Sequence, residues 1–412
     1  MSVLAINGGT PIRTGEYPGW PAYDERDVEA VTEVVRSGRW GGFPSPGRKA
    51  AEFGARFAAY QGASHCVAVA NGTVAIEVAL RALGIGWRDE VIVPAVSFVA
   101  TYNAVLAAGA LPVFVDVLPG TLTLDPQQIE GAVTPRTRAV VPVHLCQHMA
   151  DMDAIAAVAR RRGLALIEDA AHAHGQRWRD RGAGCFGEFG SFSHEASKAL
   201  TAGEGGSLVT DDAVLARRAA SLIDCGRPKD EAQRERTAGT NYRLGELQAA
   251  LLCTALERFP EQQVERAAQA GYFEQLVAAV PGVRLVPKDP RITRWSFWRF
   301  QLLLEPDAFA GAGNLAVAAA MRAEGIPCGT GFPAVNRDDL FQPELSRQPV
   351  AVEYRDRLDK TRMHFPVADE QAARSLLISA NAFRAGRAGV EHATLALGKI
   401  QHHANELPRP SR

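Results

Sequence analysis

The 412-residue sequence has few cysteines, few aromatic residues and almost no net charge. Its six cysteines include no Cys-x-x-Cys pair, which argues against structural zinc and against a disulfide framework. The 45 basic and 46 acidic side chains leave a formal charge of −1, so no overall field attracts nucleic acid or an anionic membrane. No apolar run approaches the roughly 20 residues of a membrane span, and residues 1–5 do not lead into a signal-peptide core. We therefore expect a soluble cytoplasmic protein.

Possible metal ligands are densest at His144, Cys146 and His148, which alternate along the chain. Alternate residues of a strand share one face, so three ligands could converge there. No carboxylate or further imidazole at a recognisable spacing completes the set. A buried strand end explains the pattern more simply, and we predict no metal.

Hydrophobic patterning predicts an α/β fold. The first two-thirds of the chain alternates short β-branched runs with amphipathic stretches, which is typical of a mainly parallel sheet covered by helices. Several runs are apolar throughout, as in strands that are buried on both faces. We predict strands over 65–70, 90–94, 112–117, 138–143, 164–168, 190–193 and 207–210, and helices over 74–83, 100–108, 126–132 and 153–161.

A long helical pattern begins near Leu244 and continues towards Tyr272. An aromatic strand over 295–304 and a helix over 315–324 follow, and further helical stretches come after Asp369. Because a helix of this length commonly connects two lobes, we predict a large domain with an N-terminal arm over 1–260. A smaller C-terminal α+β domain would occupy 261–412 and end in a free tail from Pro408.

Three polar segments follow predicted strands and carry candidate chemistry. Asn71-Gly72-Thr73 precedes a helix, where free N–H groups, a glycine and a hydroxyl could hold a phosphate. Asp169 ends a buried strand, at the edge where open α/β sheets bind ligands. Lys198 stands before the glycine-rich residues 203–206, where burial would lower its pKa and make it a nucleophile. Taken singly, the first segment is typical of a capped helix and the third of a solvated lysine, and Asp169 fits a strand-ending acid as well as a functional one.

Together the three segments match the requirements of pyridoxal 5′-phosphate (PLP). This cofactor needs a phosphate site, a carboxylate beside its ring nitrogen and a lysine that forms a Schiff base. Asp169 would keep the ring nitrogen protonated, so that the ring accepts electrons when the substrate Cα loses its proton. Lys198, once displaced by the substrate amine, would carry that proton between Cα and C4′.

On these motifs the chain resembles the DegT/DnrJ/StrS-type aminotransferases, PLP enzymes of fold type I that aminate keto-sugars and keto-cyclitols. The resemblance runs from about Trp20 to Glu246 and more loosely to Phe341. Features at 5–11, 149–153, 172–175 and 225–228 are similar to the scyllo-inosose aminotransferases and 3-amino-5-hydroxybenzoate synthases of antibiotic pathways. The family motifs lie at residues 37–42, 71–73, 94–101, 168–172, 198–206 and 239–243.

The resemblance implies how the cofactor ring is held in the predicted large, PLP-binding domain. Lys198 resembles the Schiff-base lysine, and Asp169 resembles the partner of the pyridine nitrogen. Phe98 corresponds to an aromatic residue that stacks on the ring. His172 occupies the position of a residue near the ring hydroxyl.

The resemblance also implies how the phosphate is held. Gly72, Thr73 and Ser193 correspond to phosphate ligands within one subunit. Asn241 matches an asparagine that reaches the phosphate from a neighbouring subunit. A homodimer with shared active sites is therefore expected.

The leading interpretation is a PLP-dependent aminotransferase of antibiotic biosynthesis. It would take an amino group from L-glutamine or L-glutamate, hold it on the cofactor, and place it on the ketone of a cyclitol or sugar. A dehydratase or aromatising enzyme of the 3-amino-5-hydroxybenzoate synthase type stays open, although sugar 3-dehydratases of this fold replace the lysine with histidine. A catalytically idle partner protein of the same fold also stays open, since Glu195 departs from the family pattern.

Overall fold

The computed structural model describes residues 3–41, 47–229 and 238–408. Gly42 of the motif at 37–42 and residues 409–412 of the predicted tail lie outside these ranges. The strands are β1 (His65–Val69), β2 (Glu90–Pro94), β3 (Leu111–Val115), β4 (Thr137–Val140), β5 (Ala165–Asp169), β6 (Arg177–Trp178), β7 (Arg181–Gly182), β8 (Phe189–Ser193), β9 (Gly206–Thr210), β10 (Val283–Arg284), β11 (Ile292–Arg294), β12 (Arg299–Leu304), β13 (Cys328–Thr330) and β14 (Ser375–Ser379).

Helices cover these strands and form the C-terminal end of the described chain. They are α1 (Glu25–Ser37), α2 (Arg48–Gln61), α3 (Gly72–Ala82), α4 (Ala100–Ala107), α5 (Pro126–Ala132), α6 (Met152–Arg162), α7 (Ala213–Leu222), α8 (Glu246–Val277), α9 (Asn314–Ala323), α10 (Pro349–Glu353), α11 (Arg355–Leu358), α12 (Pro366–Arg374), α13 (Ala380–Arg384) and α14 (Gly386–His402). Within the described ranges, none of these helices has both the length and the hydrophobicity that crossing a membrane requires.

A seven-stranded sheet with the order β1-β9-β8-β5-β4-β2-β3 forms the centre of the fold. Strands β8, β5, β4, β2 and β3 run parallel, and β9 is antiparallel to both of its neighbours. Every strand predicted between residues 65 and 210 belongs to this sheet, so the predicted mainly parallel α/β class is confirmed. Because β1 runs in the same direction as β8, the carboxyl ends of β1, β2, β5 and β8 meet at one edge.

The central sheet is buried on both faces because its strands carry apolar residues at successive positions. Val91 and Val93 pack into one hydrophobic core, whereas Ile92 between them packs into the other. Successive side chains of a strand point to opposite faces, so a continuous apolar run serves two helical layers. The patterning of β2 therefore explains both the strand and its position inside the sheet, between β4 and β3.

Helix α8 connects the central sheet with a second, four-stranded sheet of order β10-β12-β14-β13. The helix has 32 residues with Pro260 inside it, and it packs against α1 and α2 as well as against α13 and α14. The long predicted helix is thus present, and the predicted domain boundary at 260/261 falls within it. The division into domains 1–260 and 261–412 stays a prediction.

The second sheet differs from its sequence prediction in two ways. The predicted strand 295–304 begins only at Arg299, because the preceding residues form buried loop contacts; the Trp295 indole, for example, donates to the Gln147 carbonyl at 3.0 Å. The helical pattern predicted after Asp369 is interrupted by β14, which pairs with both β12 and β13. Its residues 376–378 are almost wholly buried, so burial on both faces favours a strand there.

Candidate active site

A cavity of about 420 Å³ lies at the edge where the carboxyl ends of β1, β2, β5 and β8 meet. Open α/β sheets commonly bind ligands at this edge. Segments that are far apart in sequence converge here because each follows one of these strands. Lys198 lies in the segment between β8 and β9. The cavity is lined by all but one of the eight predicted site residues, namely Gly72, Thr73, Phe98, Asp169, His172, Ser193 and Lys198.

Asp169 is buried at the floor of the cavity and is held by two donors. The Thr101 hydroxyl donates to Asp169 Oδ2 at 2.7 Å, and the backbone N–H of Ala171 donates to Oδ1 at 3.2 Å. Ser97 Oγ lies 2.8 Å from Thr101 Oγ1, which fixes the threonine rotamer. Burial raises the pKa of Asp169 above its usual value, against the effect of the Thr101 hydrogen bond. A cation at this carboxylate would therefore be strongly stabilising.

Lys198 supplies the only primary amine among the described residues that line the cavity. The residue is 9% exposed, and its burial lowers the pKa of the amine from 10.5 to about 8, although the charge of Asp169 opposes this shift. The Nζ atom lies 4.6 Å from the centre of the Trp298 ring. A lysine with this pKa has a neutral fraction near physiological pH that an ordinary lysine lacks, and in that form it can act as a nucleophile or as a base.

His172 is clamped between the protein backbone and a stack of aromatic rings. Its ring lies 4.4 Å from that of Trp298 with an interplanar angle of 16°, and 6.0 Å from that of Phe332. The backbone N–H of Cys146 donates to His172 Nδ1 at 3.2 Å. Burial holds the pKa of His172 well below its usual value. The imidazole is therefore neutral, with its proton on Nε2, which is free to donate to a ligand.

The N-terminus of α3 forms one end of the cavity. Asn71 caps the helix by accepting a hydrogen bond from the Val74 N–H at 2.9 Å. The preceding N–H groups, at Gly72 and Thr73, have no intrahelical partners, and with the helix dipole they favour an anion. A Cβ at Gly72 would lie 2.7 Å from Ser193 Cβ. The glycine thus lets the helix start approach Ser193, and together they form a cradle of phosphate size.

Replacement of Gly72 by alanine tests this cradle. The added methyl group would push Ser193 aside, and overpacking of this kind typically costs about 1–3 kcal/mol. We expect the Kd of a phosphate-bearing cofactor to rise about 10-fold or more, measured by equilibrium titration of cofactor absorbance. Gly398→Ala is the matched control, since nothing lies within 4 Å of its added Cβ. Equal cofactor affinity in both variants would contradict the cradle.

Asn241, the remaining predicted site residue, does not line the cavity. It is exposed and forms an isolated antiparallel bridge with Asp224. Arg243, two residues on, pairs with the Asp224 carboxylate. The segment is thus held at the surface of its own chain, and the role of Asn241 across a subunit boundary stays a prediction.

The side chains of His144, Cys146 and His148 are all buried, and His144 also lines the cavity. His144 Nδ1 accepts from the Ala150 N–H at 3.2 Å, and its Nε2 donates to Glu168 at 3.0 Å. Both ring nitrogens of His144 are therefore engaged. Among the described residues, no group of three or more His, Cys, Asp or Glu side chains could hold a metal ion.

Sequence reasoning did not single out three residues that shape the cavity: Thr101, Trp298 and Phe332. Thr101 lies inside the family motif at 94–101, and its place in the first turn of the helix that follows β2 was a usable signal. Trp298 and Phe332 come from the second half of the chain, more than a hundred residues after Asp169. No local pattern connects them to the central sheet.

This fold and site define a class of enzyme: an α/β protein with a buried lysine and aspartate facing one cavity at the carboxyl edge of its sheet. The chain matches the DegT/DnrJ/EryC1/StrS aminotransferase family over residues 21–376 and belongs to that family. It is an aminotransferase. The resemblance noted from its motifs is confirmed.

Named relatives match nearly the whole chain. The L-glutamine:2-deoxy-scyllo-inosose aminotransferase of Micromonospora echinospora is 39% identical over 422 residues, covering 99% of this chain and 100% of the relative. The L-glutamine:scyllo-inosose aminotransferase of Streptomyces griseus is 37% identical over 423 residues, covering 99% and 100%. The crystal structure of 3-amino-5-hydroxybenzoic acid synthase matches with a TM-score of 0.83 and 32% identity, covering 95% of this chain and 99% of that one.

Proposed function

We propose that this protein is a PLP-dependent aminotransferase that moves the amino group of L-glutamine to the ketone of a keto-cyclitol in aminocyclitol antibiotic biosynthesis. The observation that carries the proposal is the convergence of Lys198, Asp169 and the α3 N-terminus on one cavity. The donor and acceptor follow from what the relatives are named for: both use L-glutamine, and both aminate an inosose.

The residues of the cavity fit PLP. The free N–H groups of α3 and the close approach of Gly72 to Ser193 suit a phosphate. Asp169 is a buried carboxylate whose two hydrogen-bond donors are neutral, and a protonated pyridine nitrogen would give it a hydrogen-bonded cation. The exposed Phe98 ring, on the cavity wall 6.0 Å from Phe332, offers a face for stacking. When bound, the cofactor supplies an electron sink for deprotonation at the substrate Cα.

The protein's own groups then have distinct tasks. Lys198 would hold the cofactor and would move a proton to or from the substrate carbon, for which a pKa of about 8 is well matched. Asp169, whose carboxylate is fixed by Thr101, would hold the pyridine nitrogen protonated. His172 would donate from Nε2 to an oxygen on the cofactor ring, because the Cys146 N–H occupies its Nδ1.

The proposal is tested by separating the two half-reactions. Incubation of the PLP-loaded protein with L-glutamine alone should release one equivalent of 2-oxoglutaramate per subunit and bleach the absorbance of the lysine-bound cofactor. Addition of 2-deoxy-scyllo-inosose or scyllo-inosose should restore that absorbance as the aminocyclitol forms. Failure of every amino donor to change the cofactor spectrum would contradict the proposal.

An aromatising enzyme of the 3-amino-5-hydroxybenzoate synthase type is the second candidate. The structural match to that synthase supports it, and Lys198 is compatible with either outcome. Incubation with an amino-dehydroshikimate substrate would produce an aromatic chromophore only if this alternative is correct.

The proposal includes a cytoplasmic homodimer with shared active sites. The surface position of Asn241 supports it, because the side chain is available to a second subunit. Exposed apolar side chains on and after α1, including Val35 (48% exposed) and Trp40 (60% exposed), are also suited to burial between subunits. Sedimentation equilibrium measures the subunit number directly.

A further inference from the structure

A second cavity of about 320 Å³ adjoins the first. Glu195, Ser197 and Trp298 line both cavities. What distinguishes the second cavity is its charge, because Arg266 and Arg299 also contribute to its wall. We call it the arginine cavity.

Neither guanidinium of the arginine cavity has an acidic partner at salt-bridge distance among the described residues. Arg266 is only 2% exposed; its Nη1 donates at 3.5 Å to the Phe297 carbonyl, and its Nε has no partner. Arg299 is partly buried and lies against the Trp298 ring, with Cζ 4.4 Å from the ring centre. Buried cations without a counter-ion are costly, so the site is built to receive an anion.

Arg299 lies close to the reacting amine. The same Trp298 ring that contacts Arg299 also contacts Lys198, whose Nζ is 4.6 Å from the ring centre. This ring is fixed in place, because its Nε1 donates to Ser197 Oγ at 3.1 Å and its face stacks on His172. A ligand that reacts at Lys198 can therefore extend past Trp298 towards Arg299.

Glu195 is the one acid of this cavity wall among the described residues. Its Oε2 accepts from Ser197 Oγ at 2.5 Å, so the carboxylate is turned towards the Lys198 loop. One acid does not balance two guanidiniums. Arg384 adds further positive charge beside the cavity, with Cζ 4.9 Å from the ring of Trp20 in the cavity wall.

We propose that the arginine cavity binds the α-carboxylate of the amino donor, with Arg299 as its direct ligand and Arg266 as a second cation that strengthens the local potential. This rests on the proposed function, because it assigns the donor to that site. Of the two substrates, the amino acid carries a carboxylate adjacent to its reacting carbon, whereas a keto-cyclitol carries no charge. An anion site beside Lys198 therefore serves the donor and not the acceptor.

The test compares L-glutamine with 4-aminobutanamide, which is the same molecule without its α-carboxylate. In Arg299→Gln holoenzyme, kcat/KM for L-glutamine should fall about 10- to 100-fold, since a hydrogen-bonded ion pair is lost. The slow reaction of 4-aminobutanamide should not change. For Arg299→Lys, kcat/KM for L-glutamine should lie between the values for the parent and for Arg299→Gln, because lysine keeps the charge but cannot form two parallel hydrogen bonds to a carboxylate.

Two further measurements separate a binding role from a structural one. The KM for the keto-cyclitol, measured on pyridoxamine-loaded Arg299→Gln protein, should equal that of the parent. Arg161→Gln, a matched change at an exposed arginine paired with Glu130, should leave both donors unaffected. Equal losses for the two donors in Arg299→Gln, or no loss for L-glutamine, would overturn the assignment.

If the proposed aminotransferase function is wrong, the result differs from a wrong assignment of the arginine cavity. In that case the parent protein would react with neither donor, and calorimetric binding of L-glutamine to the purified proteins would test the cavity instead. A Kd raised about 10- to 100-fold by Arg299→Gln supports the site. An unchanged Kd, or a parent protein that does not bind L-glutamine, overturns it.

Discussion

Replacement of Lys198 by alanine should lower kcat by on the order of 10⁴-fold or more, because it removes both a nucleophile and a proton carrier. Lys198 is the one primary amine among the described residues around the cavity, so no neighbour can take over either task. The absorbance of a lysine-bound cofactor and borohydride labelling of residue 198 should both disappear. Steady-state kinetics and mass spectrometry of the labelled peptide measure these losses.

The stability of the Lys198→Ala variant separates this chemistry from folding. The pKa of Lys198 is lowered in the folded protein, so the charged amine destabilises the fold below about pH 8 and the alanine removes that cost. We therefore expect the melting temperature of the cofactor-free variant at pH 7 to be the same as that of the parent or higher. Lys288→Ala, at an exposed lysine, should retain activity. Retention of covalent cofactor by Lys198→Ala would refute the assignment.

The strands of the central sheet could be predicted from the sequence because helices cover both faces of the sheet. A sheet covered on both faces gives short, continuously apolar strands, and β2 has the bounds that its sequence predicts. A continuously apolar run is also the reason why the prediction of helix after Asp369 was wrong at β14. A short apolar run has no period that distinguishes a strand from a buried helix, and its neighbours β12 and β13 are distant in sequence.

Some residues of the candidate site could likewise be located from the sequence, and others could not. Asp169 and Ser193 end parallel strands, so the edge of the sheet that they occupy follows from strand direction alone. Trp298 and Arg299 reach that edge from the second sheet, and their position depends on how helix α8 and the two sheets pack. No pattern around residue 298 encodes this packing, because the contacts join residues a hundred positions apart.

Replacement of Asp169 by asparagine should lower kcat about 10²- to 10³-fold, the usual cost of removing a positioned charge from an active site. The amide oxygen can still accept from the Ala171 N–H, and the amide NH2 can donate to the Thr101 hydroxyl once that hydroxyl turns to donate to Ser97, so the side chain keeps its place. What is lost is the negative charge that would hold the pyridine nitrogen protonated. Rapid-mixing absorbance with L-glutamine alone measures the effect on the first half-reaction.

The expected stability change has the opposite sign from the loss of activity. Burial raises the folded-state pKa of Asp169, so ionisation of this group costs stability as the pH rises above its ordinary value. Asparagine cannot ionise, and the cofactor-free variant should melt at the same or a higher temperature at pH 7, with no gain below about pH 4. Asp356→Asn, at an exposed acid, should change neither property. If Asp169→Asn instead lowered the melting temperature and the activity together, the aspartate would be a structural residue, and the electrostatic role proposed for it would be wrong.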